Sequence, residues 1–152
     1  MNKTKVEAMI KRSSFIVMII AAVETVLSVL MAVMEYKNCK KMSPEVFKMM
    51  LPNSVNMLFN ASTFIIEMVV FYRIFRSGRP FTSGNITAVR VIAALSLIGS
   101  IVIALIRHSA GMPIISALFT SIFSVFGAVV FLFFAEIMRY GKLLQIESDE
   151  TL

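Results

Sequence analysis

The sequence predicts an all-α integral membrane protein: one four-helix bundle that crosses the bilayer, with both termini in the cytoplasm. Hydrophobic residues make up 58% of the 152 residues, and the mean hydropathy is +0.84. Only 16% of the residues are charged, whereas a soluble domain carries about a quarter. The charges cluster between four apolar blocks, each close to the roughly 20 residues that a helix needs to cross hydrocarbon. This pattern is typical of a polytopic membrane protein.

The four predicted spans lie within a single domain, residues 1–152, which ends in a cytoplasmic tail, residues 136–152. The spans cover residues 14–34, 55–72, 87–106 and 112–135. The first block carries a charge at its centre and lacks a small-residue cleavage site after it, so we expect it to be retained and not removed as a signal peptide. Before the second span, Ser43-Pro44-Glu45 predicts a short surface helix that continues to Met50 at the outer interface.

The basic residues predict the orientation. Ten of the 15 Lys and Arg residues lie in the N-terminal tail, in or just beyond the second connection, and in the C-terminal tail, and five lie in the other two connections. Because cytoplasmic segments carry the excess of Lys and Arg, both tails are expected in the cytoplasm. Tyr36, Tyr72 and Tyr140 each lie at the end of a predicted span, where an apolar ring with a polar hydroxyl fits the membrane interface.

Polar residues inside the spans follow helical spacing. In the second span, Asn56, Asn60, Thr63 and Glu67 recur every three or four residues and therefore share one face. The other spans carry comparable small or polar stripes: Ala21, Glu24 and Ser28; Ala93, Ser96, Ser100 and Arg107; Ser116, Thr120, Ser124 and Ala128. Since polar groups lose their partners in hydrocarbon, we expect the stripes to face one another. They either only hold the helices together or also line a cavity for an ion or ligand.

Two acidic residues lie at membrane depth, Glu24 and Glu67. A carboxylate at the centre of a span costs on the order of 2.5–3.5 kcal/mol on the insertion scale. We expect Arg107 to reach Glu24 and Arg90 to reach Glu67, as structural ion pairs. A proton or cation site, or a protonated carboxyl, is the alternative. The candidate intramembrane residues are Glu24, Asn60, Thr63, Glu67, Ser96, Ser100 and Arg107.

The sequence contains no catalytic or metal-binding motif that we recognise. It has one histidine and one cysteine, Cys39, no HExxH, no glycine-rich phosphate loop and no Cys/His ligand spacing. We therefore expect no enzyme, no catalytic residue, no metal and no cofactor. No basic stretch interleaved with aromatics lies outside the spans, so direct binding of nucleic acid is not expected. Glu136 and Arg139, three residues apart, predict an ion pair within the fourth helix.

Two segments resemble a known family. Residues 77–82 read Ser-Gly-Arg-Pro-Phe-Thr, and residues 140–152 combine a glycine, a leucine pair and an acidic run that ends in Asp-Glu-Thr and an aliphatic residue. Together they resemble the bacterial four-span membrane family called domain of unknown function 2975, over essentially the whole chain. The resemblance implies a multi-pass plasma-membrane protein without established activity. Its members are often encoded beside a helix-turn-helix regulator, which implies a DNA-binding protein as partner.

The leading hypothesis is a non-enzymatic membrane protein that regulates or sequesters a cytoplasmic transcription regulator. Leu143, Leu144 and Ile146 form an apolar patch with an acidic rim that could dock on a basic surface, or the leucines could dip into lipid. The candidate contact residues are Arg79, Pro80, Phe81, Leu143, Leu144, Gln145, Glu147, Asp149 and Glu150.

Two further hypotheses belong to other classes. The first is a small transporter or an ion- or ligand-binding bundle that uses Glu24 and Glu67. The second is an accessory subunit that binds another membrane protein. The lipid bilayer is the one partner that all three hypotheses share, and each is compatible with a homo-oligomer.

Overall fold

The computed structural model describes residues 3–150, with side chains described for residues 4–148. Within this range the chain is all-helical, with five helices: α1 (Lys3–Cys39), α2 (Pro44–Ser77), α3 (Ser83–Ser109), α4 (Ile114–Phe119) and α5 (Ile122–Glu150). Helices α1, α2, α3 and α5 are each long and apolar enough to cross a membrane. The all-α fold and the four candidate spans are thus confirmed, and the orientation stays a prediction.

Helix α2 begins earlier than the predicted second span. Its start at Pro44, after Ser43 as the N-terminal cap, agrees with the prediction, but the short separate surface helix is wrong because the helix continues past Met50 without a break. It passes through Pro52, which is buried. Proline removes one backbone hydrogen bond from a helix, and packing of the buried ring against neighbouring side chains offsets part of that loss.

The segment predicted as the fourth span, residues 112–135, is divided between two helices, because α4 ends at Phe119 and α5 begins only at Ile122. The hydroxyls of Thr120 and Ser121 donate hydrogen bonds to the carbonyl oxygen of Ala117, at 2.7 and 3.4 Å. Bonds of this kind compete with the regular backbone pattern of a helix. At its other end α5 continues beyond residue 135 to Glu150, so the predicted tail is helical as far as the structure describes it.

The helices pack in chain order. Helix α1 packs on α2, α2 packs on α3, and α3 also contacts α4 and α5. The side of α1 that packs on α2 is built largely from small residues, which let two helices approach closely. Its buried residues are Ser14, Ala21, Ala32 and Cys39. Helices α2 and α5 do not pack closely against each other, and a cleft remains between them beside α3.

The outer surface is apolar around the whole molecule. Large hydrophobic side chains such as Ile115, at 79% exposure, and Phe123, at 85%, point outward. Such a surface suits lipid, where apolar side chains need no partner. The expectation that all four polar stripes face one interior is wrong for Glu24 and for Ser116 and Thr120, which are exposed. Because α1 has only one close neighbour, only a narrow strip of its surface is covered.

Candidate functional site

The cleft between α2 and α5 contains a polar cavity of about 270 Å³, with α3 as its third wall. All four members of the α2 stripe line it, so the predicted common face is confirmed. Helix α3 contributes two serines and α5 contributes a third. The polar lining residues are Asn56, Asn60, Thr63, Glu67, Ser96, Ser100 and Ser124. The structure therefore brings together five of the seven predicted intramembrane residues and leaves out Glu24 and Arg107.

Most of these polar side chains have no partner in the protein. The Thr63 hydroxyl donates to the carbonyl oxygen of Asn60 at 2.8 Å, and the Ser100 hydroxyl donates to that of Ser96 at 2.6 Å. The remaining side chains of the lining make no hydrogen bond or ion pair with any described residue: Asn56, Asn60, Glu67, Ser96 and Ser124. A polar group in apolar surroundings is normally satisfied by water or by a ligand, and the cavity has room for either.

Glu67 lies where this polar cavity meets a second, apolar cavity of about 540 Å³. The side chain is partly buried, and of the lining residues only Glu67 and Phe131 belong to both cavities. Arg90, its predicted partner, instead forms an ion pair with Glu136 of α5. That prediction is wrong because the exposed Arg90 extends toward α5, where Glu136 also pairs with Arg139 as predicted, at 3.3 Å.

Arg107 does not reach Glu24, so the second predicted pair is also wrong. Its guanidinium donates to the side-chain oxygen of Asn53 at 3.3 Å, and the Asn53 amide donates to a carboxylate oxygen of Glu35 at 3.2 Å. This polar bridge of Glu35, Asn53 and Arg107 links α1, α2 and α3 near the carboxyl end of α1. The second carboxylate oxygen of Glu35 is buried without a hydrogen bond.

Asn53 and Glu35 are residues that the sequence analysis did not single out. Both lie outside the predicted spans, in a segment that was assigned to a connection between helices. Asn53 nevertheless lies three residues before Asn56 and continues the α2 stripe by one more turn. That spacing was the signal that could have identified it.

The predicted cytoplasmic segments touch each other. A Cβ atom at Gly141 would lie 3.1–3.2 Å from ring atoms of Phe81, so the ring packs directly on the α5 backbone. The Lys142 ammonium group donates to the Ser83 hydroxyl at 2.7 Å. A cleft of about 290 Å³ lies between the connection and α5, and Arg79 and Gln145 line it. The two segments that carry the family resemblance thus form one surface.

The remaining predicted contact residues surround this surface. Leu143 and Leu144 are 52% and 47% exposed. Glu147 is exposed too, and Pro80 lines the apolar cavity. The side chains of Asp149 and Glu150 lie outside the described residues. Within the described part of the chain, no group of three His, Cys, Asp or Glu side chains could hold a metal ion.

Comparison with protein families matches residues 35–152 to the family described as "Protein of unknown function (DUF2975)". The chain belongs to this family. The match includes α2 to α5, the polar cavity and both segments that carried the resemblance, and most of α1 precedes it. Comparison with curated proteins and with solved structures found no significant match. Membership therefore confirms the resemblance and leaves the activity to be inferred from the molecule itself.

Proposed function

We propose that this DUF2975 protein binds a small polar or cationic ligand inside the membrane, in the cavity between α2, α3 and α5. The observation that carries this proposal is the set of five polar side chains, one of them a carboxylate, that surround one cavity without a partner in the described protein. The role is that of a ligand-binding or transporting bundle without chemical conversion. Of the two intramembrane acids, Glu67 serves it and Glu24 does not.

The alternative role of these side chains is to hold the helices together. That role acts through hydrogen bonds between helices or through close packing of small residues. Both hydroxyls of the cavity that do form a bond, those of Thr63 and Ser100, bond to the backbone of their own helix. The oxygens of the free amides and of the carboxylate instead present the acceptors that an ammonium or guanidinium group requires.

A fluorescence titration tests the proposal. The chain contains no tryptophan, so Phe64→Trp at the cavity wall introduces a single reporter. In lipid nanodiscs, ethylammonium should change the tryptophan emission in a saturable way. Glu67→Gln should weaken this binding about 10- to 150-fold, since a hydrogen bond to a charged group contributes about 1.5–3 kcal/mol.

Glu136→Gln is the matched control, because it removes an acid that lies outside the cavity. It should leave the titration unchanged. The proposal is overturned if ethylammonium gives no saturable change in emission. It is also overturned if Glu67→Gln binds ethylammonium as tightly as the parent protein does.

A second candidate function concerns the cytoplasmic surface that the connection at residues 79–83 and the end of α5 form together. We infer that this surface docks a helix-turn-helix transcription regulator, and so regulates or sequesters it, with both termini on the cytoplasmic side of the bacterial plasma membrane. The contact between Phe81 and Gly141 and the exposure of Leu143 and Leu144 favour this inference. The partner itself is taken from the family resemblance.

Co-purification with the co-transcribed regulator tests the second candidate. Leu143→Glu combined with Leu144→Glu should abolish capture of the regulator and change transcription of its target, because the exposed apolar patch is lost. Met49→Glu alters an exposed apolar residue near the start of α2, away from this surface, and should have no effect. Capture that survives the double change would refute this role.

A further inference from the structure

The two cavities have opposite characters, both are partly open to the surface, and they meet at one carboxylate. The polar cavity extends along α2 from Asn56 to Glu67, and the apolar cavity continues from Glu67 to Ile74 and Phe81. Val17 of α1 and Val130 of α5 also line the apolar cavity. At 1.5 Å per residue, the segments of α2 that line the two cavities are about 16 and 10 Å long. Glu67 thus lies between a hydrogen-bonding compartment of about 270 Å³ and a larger apolar one of about 540 Å³.

We infer that the ligand of this site is a single-chain cationic amphiphile, such as an alkylammonium ion. Its ammonium group lies at Glu67, at the border of the polar cavity, and its hydrocarbon chain fills the apolar cavity. This inference rests on the proposed function and specifies the class of ligand. A purely polar solute would leave the larger cavity empty, and a neutral lipid chain would leave the Glu67 carboxylate without a counter-charge.

The packing of the helices supports access for such a molecule. Helices α2 and α5 do not pack closely together, and side chains from both line the two cavities. Val130 lies on this side of the molecule and is 41% exposed although it lines the apolar cavity. An amphiphile dissolved in the bilayer can therefore enter between α2 and α5 without first passing through water.

A pair of adjacent valines provides the test. Val130→Phe places a larger side chain in the apolar cavity, whereas Val129→Phe makes the same change at a residue that is 57% exposed and lines neither cavity. Both are measured in nanodiscs with the Phe64→Trp reporter, against decylammonium and ethylammonium. Protein-free nanodiscs give the partitioning of decylammonium into lipid, which is subtracted.

Val130→Phe should weaken decylammonium binding about tenfold, because an overfilled cavity can no longer accept the chain. It should leave ethylammonium binding unchanged, and Val129→Phe should alter neither. If Val130→Phe does not weaken decylammonium binding while Glu67→Gln weakens both ligands, the amphiphile inference is overturned and the proposed function stands. If Glu67→Gln weakens neither ligand, both are overturned.

Discussion

The polar bridge of Glu35, Asn53 and Arg107 makes a prediction that can be worked through quantitatively. Asn53→Ala removes two hydrogen bonds to charged groups, at 3.2 and 3.3 Å. Each bond of this kind contributes about 1.5–3 kcal/mol in soluble proteins, and interhelical bonds in membrane bundles average about 0.6 kcal/mol. Only the bond to Glu35 joins α1 to α2, and because it is long we expect a loss of about 0.5–1.5 kcal/mol in that attachment.

The single cysteine of the chain reports this loss directly. Cys39 is free and only 1% exposed, and it lies one helical turn after Glu35 on the side of α1 that packs on α2. When α1 opens and closes faster than the thiol reacts, the rate at which Cys39 reacts with N-ethylmaleimide reports the free energy of that opening. A loss of about 0.5–1.5 kcal/mol should therefore accelerate labelling roughly 2- to 12-fold.

Asn38→Ala is the control, because it removes an exposed amide beside Cys39 that takes no part in the bridge. Labelling should stay at the parent rate in this variant. Mass spectrometry of the intact protein measures the labelled fraction over time. Equal labelling rates for Asn53→Ala, Asn38→Ala and the parent protein would refute the reasoning that the bridge holds α1 against α2.

Three other changes should separate packing from surface effects. Gly141→Leu should lower the thermal unfolding midpoint, because the new side chain already meets the Phe81 ring at its Cβ atom. Adding Phe81→Ala should restore the midpoint, and a midpoint that stays low would contradict the contact. Arg90→Met should lower the free energy of unfolding by less than about 1 kcal/mol, because the side chains of Arg90 and its partner Glu136 are 45% and 54% exposed. A larger decrease in thermal unfolding would contradict a weak surface pair. Glu24→Leu should raise the amount of protein inserted into membranes, as it removes an exposed carboxylate from the centre of a span; lower insertion would indicate a partner for Glu24.

Some of the site could be read from spacing alone. Asn56, Asn60, Thr63 and Glu67 share a face because helical geometry places residues three and four apart together, and the structure puts all four in one cavity. The partners of the charged residues could not be read in this way. Arg90 pairs with Glu136, 46 residues away along the chain. Local spacing does not determine whether Glu67 of α2 or Glu136 of α5 lies beside this arginine.

The sequence by itself determined that this chain is all-helical with four candidate spans, because in lipid a long apolar block with few charges is stable when its backbone bonds within a helix. It also determined the common face of the α2 polar residues. Only the tertiary structure decided that Glu24 lies outside, that Asn53 joins three helices, and that Glu67 separates a polar from an apolar cavity. These features depend on which helices become neighbours, and that choice follows from side-chain packing between distant segments.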